Sequence, residues 1–485
     1  MLKQTLWLLS PELILLLAAV LALVLDILRP HQRGKRLASF IGLGGVIGAL
    51  IASGTLWRCN LAVWHALACD TFAIVIKMCA LVAAGIVILI AESIVRSRCR
   101  HQGVFYALLL LSMLAITLLA GATNLIMLFL AFELLNVTAY LLADSFRDEN
   151  GSTEAAIKYL LYGATMSAVM LYGMSWLYGL TGSTDLADIA ANLGRAENTL
   201  RPAVLPALIL VTAGLAFKTS AVPFHQWAPD VYESIPTPVA AFLSVGPTIG
   251  GLAVILRVLL TMLPTVPGNL ALDWRTLLMA ISALTMTIGN LGALGQKNVK
   301  RLLAYSSIAQ IGYPLIGAVA ASPQGVAAAL LYLLAYVLSN LGIFAAVSIV
   351  NNQTGSDAIR DYAGLHERAP GTALGLTICL LSLGGVPPTA GFIAKLFLFS
   401  AAIERGLLWL AAIGVINSII SLAGYWKVIR ALYLSPTPAQ ASEPVTVSLT
   451  LAVASGVAVT GVLGMAIFSN QLLELLQVAA YTLFR

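Results

Sequence analysis

Charge is what this chain has least of: aspartate, glutamate, lysine and arginine make up 10% of its 485 residues, against about a quarter in soluble domains. So little charge cannot build a water-facing surface. A soluble globular class is excluded, in keeping with the mean hydropathy of +0.93, and the chain belongs in lipid. Cysteine is sparse too. Cys59, Cys69, Cys79, Cys99 and Cys379 are scattered, with no CxxC pair and no histidine cluster beside them, which argues against zinc or iron–sulfur ligation and for structural roles. No Walker loop, no histidine pair at haem-ligand depth and no Ser-His-Asp set is evident. Gly42-Leu-Gly-Gly-Val46 lies inside an apolar run without the strand–turn–helix setting of a nucleotide site, so its glycines suit close helix packing. The apolar runs also lack the period-two alternation of a membrane barrel.

What is present is a succession of apolar runs near the roughly 20 residues that a helical span needs. They fall at 6–28, 38–57, 70–92, 104–120, 123–144, 153–180, 203–226, 236–262, 273–293, 300–320, 324–350, 370–402, 407–430 and 447–468, with an amphipathic tail from Asn470 to Arg485. The class is therefore an all-α integral membrane protein of about fourteen transmembrane helices. No small-residue cleavage site follows the first run, so that helix is expected to stay. The net charge of +6 comes from basic residues in short loops, which indicates orientation and no nucleic-acid partner. Arg29, Arg33, Lys35 and Arg36, then Arg96, Arg98 and Arg100, then Lys297, Lys300 and Arg301 mark one side as cytoplasmic. The 181–202 loop, with Asp185, Asp188 and Glu197, falls on the other side, and an even count of spans puts both termini outside.

Two runs contain helix breakers beside a lysine. The seventh has Lys218 before Pro223, and the twelfth has Gly384, Gly385, Pro387 and Pro388 before Lys395. Both read as discontinuous helices, five spans apart, and an odd spacing inverts the second unit relative to the first. The expected segments are 1–103, a first five-helix unit at 104–262, an inverted second unit at 263–430, and a C-terminal helix and tail at 431–485.

A charge at mid-membrane costs at least about 2.5–3.5 kcal/mol on insertion scales, so each one asks for a reason. Glu133 lies midway along the fifth run, with Asn136, Tyr140 and Asp144 following at helical spacing. Lys158 begins a similar stripe with Tyr162 and Thr165; the bland alternative is a Glu154–Lys158 pair near the interface. Lys218 and Lys395 lie too deep to snorkel easily, and lysine changes protonation readily when desolvated. Each is a candidate proton carrier, with a static buried ion pair as the alternative. Lys77 reads as snorkelling or lipid-contacting, Arg257 and Glu92 as interfacial anchors, and His225 as either a near-neutral switch or a loop-packing group.

The run Gly214-Leu-Ala-Phe-Lys218-Thr-Ser-Ala-Val-Pro223-Phe-His225-Gln-Trp227-Ala-Pro-Asp230-Val-Tyr-Glu233, continuing at Pro236-Thr-Pro-Val239, resembles the antiporter-like subunits of respiratory complex I. Within them it is similar to the subunit N (subunit 2) family. Further matches are Phe132-Glu133-Leu-Leu135, Ala155-Ala-Ile-Lys158-Tyr-Leu160, Asn298-Val-Lys300-Arg-Leu-Leu-Ala-Tyr-Ser-Ser307 and Gly391-Phe-Ile-Ala-Lys395. Together they cover roughly residues 100–430. The resemblance implies a proton-translocating subunit in the membrane arm of NADH:quinone oxidoreductase, with subunits of the K and M types as neighbours. No cofactor is implied in this chain; NADH, FMN, iron–sulfur clusters and quinone are implied in other subunits. The family's acid–lysine pair falls on Glu133 and Lys218, its sixth-span lysine on Lys158 and its exit-side lysine on Lys395. Two positions depart, with Thr248 in the eighth span where relatives often carry lysine and Gln310 in the tenth where they often carry histidine. Both are neutral, and the expectation is a water relay across the centre. A stand-alone or Mrp-like cation/proton antiporter and a non-pumping scaffold subunit are the alternatives.

Overall fold

The computed structural model describes residues 2–28, 37–146, 152–195, 201–262, 268–436 and 445–484; Arg29, Arg33, Lys35, Arg36 and Glu197 lie outside them. The first segment consists of α1 (Leu2–Leu8), α2 (Ser10–Leu28), α3 (Leu37–Thr55), a hairpin of β1 (Leu61–Val63) and β2 (Leu67–Cys69), and α4 (Thr71–Arg98). Next come α5 (Gln102–Gly121), α6 (Leu125–Ala143), α7 (Ser152–Thr181), the short amphipathic α8 (Leu186–Arg195), α9 (Arg201–Lys218), α10 (Trp227–Ser234) and α11 (Thr237–Met262). The chain continues with α12 (Gly268–Leu294), α13 (Val299–Ala320), α14 (Pro323–Thr354), the single-turn α15 (Leu365–Arg368), α16 (Pro370–Gly384) and α17 (Ala390–Glu404). It ends with α18 (Leu408–Leu434), α19 (Leu449–Ile467) and α20 (Ser469–Tyr481).

Twelve of these helices are long and apolar enough to cross a membrane. The pairs α9/α10 and α16/α17 are the two broken crossings, which brings the total to the expected fourteen. The protein is a multi-pass helical membrane protein. Helix α11 is buried along its whole length, and α13 and α14 nearly so, whereas α2, α7, α18 and α19 present apolar side chains outward.

Backbone bonds show which helix ends share a side. Thr123 N donates to Ala66 O (3.0 Å) and Leu125 N to Thr184 O (2.8 Å), which gathers the hairpin and the α5–α6 and α7–α8 turns. At the other end Val299 N donates to Asp357 O (2.8 Å) and Ile359 N to Lys297 O (2.9 Å). Both groupings match the up-and-down alternation read from the loops.

The helix breaks have local causes. Proline lacks an N–H and weakens a helix interior, and Pro223, Pro387 and Pro388 follow the two breaks, whereas Pro206, Pro247 and Pro314 stay inside α9, α11 and α13. Gly385 takes φ +80°, where a side chain is strained, and a Cβ there would press on Lys395 Cδ at 3.0 Å.

Three buried cations hold the scaffold. Lys77 Nζ lies 2.7 Å from Glu12 Oε1 with both side chains buried, which corrects the snorkelling expectation: α2 supplies the acid that the lysine's own helix lacks. Arg257 is likewise no interfacial anchor. Its guanidinium grips both Asp70 oxygens (2.9 and 3.0 Å) and the Ala120 carbonyl (2.9 and 3.2 Å), tying α11 to the start of α4 and the end of α5. Lys300 bonds Asp357 Oδ2 and Ile235 O, each at 2.9 Å. Glu92 is buried as well, with Arg96 at 3.5 Å and Thr450 donating to it at 3.4 Å.

Removing one member of a buried pair strands the other charge at a cost of about 3–5 kcal/mol, whereas removing both can be nearly neutral. Lys77→Met is therefore expected to lower thermal stability sharply, and Glu12→Leu/Lys77→Met to recover most of the loss in a detergent unfolding assay.

Candidate functional site

Lys218 closes α9 just where the helix breaks, and its side chain is buried. Its ammonium donates to Asn136 Oδ1 at 2.6 Å. Asn136 in turn donates to Glu133 Oε1 (3.1 Å) and to Ser167 Oγ (3.0 Å) on α7. Glu133 and Lys218 are thus joined through an amide, and no direct ion pair links them among the described residues. The ammonium also sits 5.7 Å from the centre of the Phe132 ring. One turn on, Tyr140 packs edge-to-face on Tyr159 (4.7 Å), and the Tyr159 ring stacks on Trp227 at 4.4 Å. The Tyr140 hydroxyl fits because Gly163 faces it; a Cβ there would overlap the oxygen.

Lys395 occupies the second break. Its ammonium donates to the carbonyls of Leu383 (2.9 Å) and Gly384 (3.4 Å), which the end of α16 leaves without helical partners, and lies 4.2 Å from the Tyr313 ring centre. Gln310 Nε2 shares the Leu383 carbonyl (3.3 Å) and also donates to Tyr425 Oη (3.0 Å). Tyr332 donates to Gln310 Oε1, and Ser306 lies 2.5 Å from Tyr425 Oη. Closer to the first unit, Tyr336 Oη donates to Ser244 O (2.8 Å) and Asn340 Nδ2 to Ser244 Oγ (2.6 Å). Ser307 Oγ, beside the Tyr336 hydroxyl, and Asn340 Oδ1 are buried along this row, and among the described residues neither has a hydrogen-bond partner of good geometry. Thr248 bonds back to Ser244 O of its own helix at 3.0 Å and does not reach Gln310.

The predicted residues therefore separate. Glu133 and Lys218 come together through Asn136, and Lys395 joins the row containing Gln310. Lys158 stays outside: it pairs with Glu154 at 2.7 Å on an exposed face of α7, as the bland reading had it. His225 lies in the turn between α9 and α10, and Asp144 caps the end of α6. Sequence reasoning missed Tyr425 and the bridging use of Asn136. A tyrosine in an apolar helix carries little signal, but Asn136 stood one turn from Glu133 on the face already marked as polar.

Helices α10 and α13 are fastened mechanically. Arg301 Nη1 reaches Asp230 Oδ1 and Glu233 Oε2, both at 2.8 Å, so the start of α13 holds the half-helix α10. Lys300 adds the Ile235 carbonyl at the end of α10. Helix α13 also carries Ser306 and Gln310, so the clamp joins the first break to the central row.

Residues 122–421 match the family described as "NADH:quinone oxidoreductase/Mrp antiporter, TM". A curated protein of Heliobacterium modesticaldum named NADH-quinone oxidoreductase subunit N is 39% identical over 480 residues, 98% of this chain and 99% of that protein. The chain belongs to this family. A second member, NAD(P)H-quinone oxidoreductase subunit 2 of Synechococcus elongatus, is 42% identical over 438 residues, 90% of this chain and 82% of its own length. A chain in the solved respiratory complex I of Thermus thermophilus with bound aureothin superposes with a TM-score of 0.81 at 30% identity, covering 96% of this chain and 98% of that one. The family match spans both breaks, the Asn136 bridge and the central row apart from Tyr425, and stops within α18 just before that residue.

Because Asp230 and Glu233 are each more than a third exposed, either pair with Arg301 is worth at most about 1 kcal/mol. Arg301→Gln is expected to raise amide exchange in residues 227–236 by up to about tenfold while residues 203–217 keep their protection.

Proposed function

We propose that this chain is a proton-translocating subunit N of the membrane arm of an NADH:quinone oxidoreductase, moving protons while quinone is reduced elsewhere in the complex. The reading is carried by the contrast between two kinds of buried cation. Lys77, Arg257 and Lys300 each face a carboxylate. Lys218 and Lys395 stand at helix breaks and are held by neutral oxygens of Asn136, Leu383 and Gly384. An ion-paired cation that releases its proton strands its partner's charge. An amine held by amide and peptide carbonyls leaves no carboxylate in direct contact with it when it unloads, so it can load and unload more readily.

In this scheme Glu133 charges and discharges beside Lys218, with Asn136 fixing their separation. Water ordered by Ser307 Oγ and Asn340 Oδ1 then carries a proton along the Ser244–Tyr336 and Tyr332–Gln310–Tyr425 groups to Lys395. Lys158, with Glu154 on the exposed face of α7, contributes where a neighbouring subunit can approach. Neighbours of the K and M types, redox centres and cofactors confined to other subunits, both termini on the outer side, and segment limits at 103, 262 and 430 belong to the same proposal. The names and lengths of the curated relatives support it over a stand-alone antiporter.

A non-pumping, bridging subunit is the second reading, favoured by one observation. Among the described residues no side-chain hydrogen bond joins the Asn136 group to the Ser244 group. Proton-to-electron ratios of the assembled complex in proteoliposomes decide between the two: Lys395→Ala should lower the ratio, and an unchanged ratio and rate with assembly confirmed would leave the subunit structural. Recovery of the chain alone, exchanging cations in liposomes, would instead support the antiporter.

Coupling within the first site is testable separately. The combined pumping deficit of Glu133→Gln and Lys218→Met should fall short of the product of the single deficits by at least about fivefold, roughly 1 kcal/mol of coupling. In an Asn136→Leu background the two effects should become independent, because the bridge is gone.

A further inference from the structure

We propose that a cleft where α4 ends and α5 and α6 pack side by side binds the headgroup and upper acyl chains of an anionic phospholipid. The cleft has a volume of about 650 Å³, within the range of roughly 300–1,000 Å³ typical of ligand sites. Its lining changes character with depth. The exposed Arg98 and Arg100 line it where α4 ends, whereas Val104 and Leu108 line it along α5 and Leu141 along α6. Helix α5 starts at Gln102, so at 1.5 Å per residue Val104 and Leu108 lie about 3 and 9 Å deeper. Cations at the membrane end, with hydrocarbon directly beneath, match a phosphodiester followed by acyl chains. Val104 and Leu141 are 37% and 47% exposed, so the wall opens sideways, where a chain can lie. Phe105 against Phe146 (6.0 Å, edge-to-face) closes the back.

The rim is also fixed in place. His101 is held by Asp26 Oδ2 at 3.0 Å, and the same carboxylate accepts from Gly103 N at 3.1 Å, which anchors the start of α5 to α2. Among the described residues the charged side chains of the lining are Arg98, Arg100 and Asp144, with Asp26 behind His101; Asp144 accepts from Thr153 Oγ1 at 3.2 Å. A guanidinium can donate two parallel hydrogen bonds to a phosphate. A free anion would use the rim and leave the wall bare. A zwitterionic lipid would use the wall and gain less from the rim, so an anionic phospholipid satisfies both.

The test uses the assembled complex in nanodiscs, with phosphatidylglycerol or phosphatidylcholine carrying a photoreactive acyl chain as alternative probes. Phosphatidylglycerol should label peptides spanning 99–108 and 141–146 in preference to phosphatidylcholine. At about fivefold per arginine, Arg98→Gln/Arg100→Gln should weaken that preference on the order of 25-fold, while Arg405→Gln at the opposite helix ends leaves it unchanged. Leu141→Trp keeps the charges and fills the wall, so it should abolish labelling even if the double variant fails to assemble. Equal labelling by the two lipids, loss of labelling on adding inorganic phosphate, or cross-linking of a neighbouring subunit to these peptides in place of lipid would each overturn the proposal.

Discussion

The carbonyls freed by two broken helices are what the rest of this structure leans on. In hydrocarbon an unsatisfied peptide group is costly, so a break inside a span persists only where something answers it. At the second break the answer to Leu383 and Gly384 is the ammonium of Lys395, shared at Leu383 with Gln310. The lysine and the break need each other: without the amine the carbonyls are orphaned, and without the carbonyls the amine has no polar company. Glycine at 385, with φ +80°, lets the chain turn sharply beneath the lysine side chain. The first break is met differently: Trp227 Nε1 donates to the Phe217 carbonyl at 3.4 Å, and the lysine turns to another helix. There Lys218 reaches an amide on a neighbouring helix, and Asn136 passes the contact on to Glu133.

Around these two sites the remaining buried cations act as fasteners. The bidentate Arg257–Asp70 pair, capped by the Ala120 carbonyl, locks the N-terminal helices onto α11. Lys77–Glu12 does the same between α4 and α2. The Lys300 and Arg301 contacts bind α10, beyond the first break, to the start of the helix that carries Gln310. A membrane protein can in this way use one residue type for two purposes, depending on whether the partner is charged.

Much of this was legible in the sequence because lipid makes it so. Fourteen crossings followed from run length, and both breaks from proline and glycine beside lysine, since those residues have few other reasons to stand together in an apolar helix. What escaped were pairings between distant spans. Lys77 was visible as a cost, but its acid lies on α2, 65 positions away in the chain, and local spacing says nothing of that. Arg257 and Asp70 are separated by 187 residues and hid for the same reason. Lys158 shows the opposite case: it sits in a polar stripe, yet the stripe faces outward, and periodicity alone does not say which way a face is turned. Tyr425 joined the central row unannounced, because a tyrosine serves equally as packing and as a hydrogen-bond relay.

The account depends on Gln310 as the neutral centre of the row, bonded to Tyr332, Tyr425 and the Leu383 carbonyl that Lys395 also uses. Gln310→Leu cuts all three contacts without removing a charge, so it tests conduction apart from electrostatics. In the assembled complex reconstituted into vesicles, the account predicts fewer protons moved per electron pair than in the unaltered complex. An unchanged ratio, with Gln310→Leu complex present at normal amounts and reducing quinone at the normal rate, would contradict it.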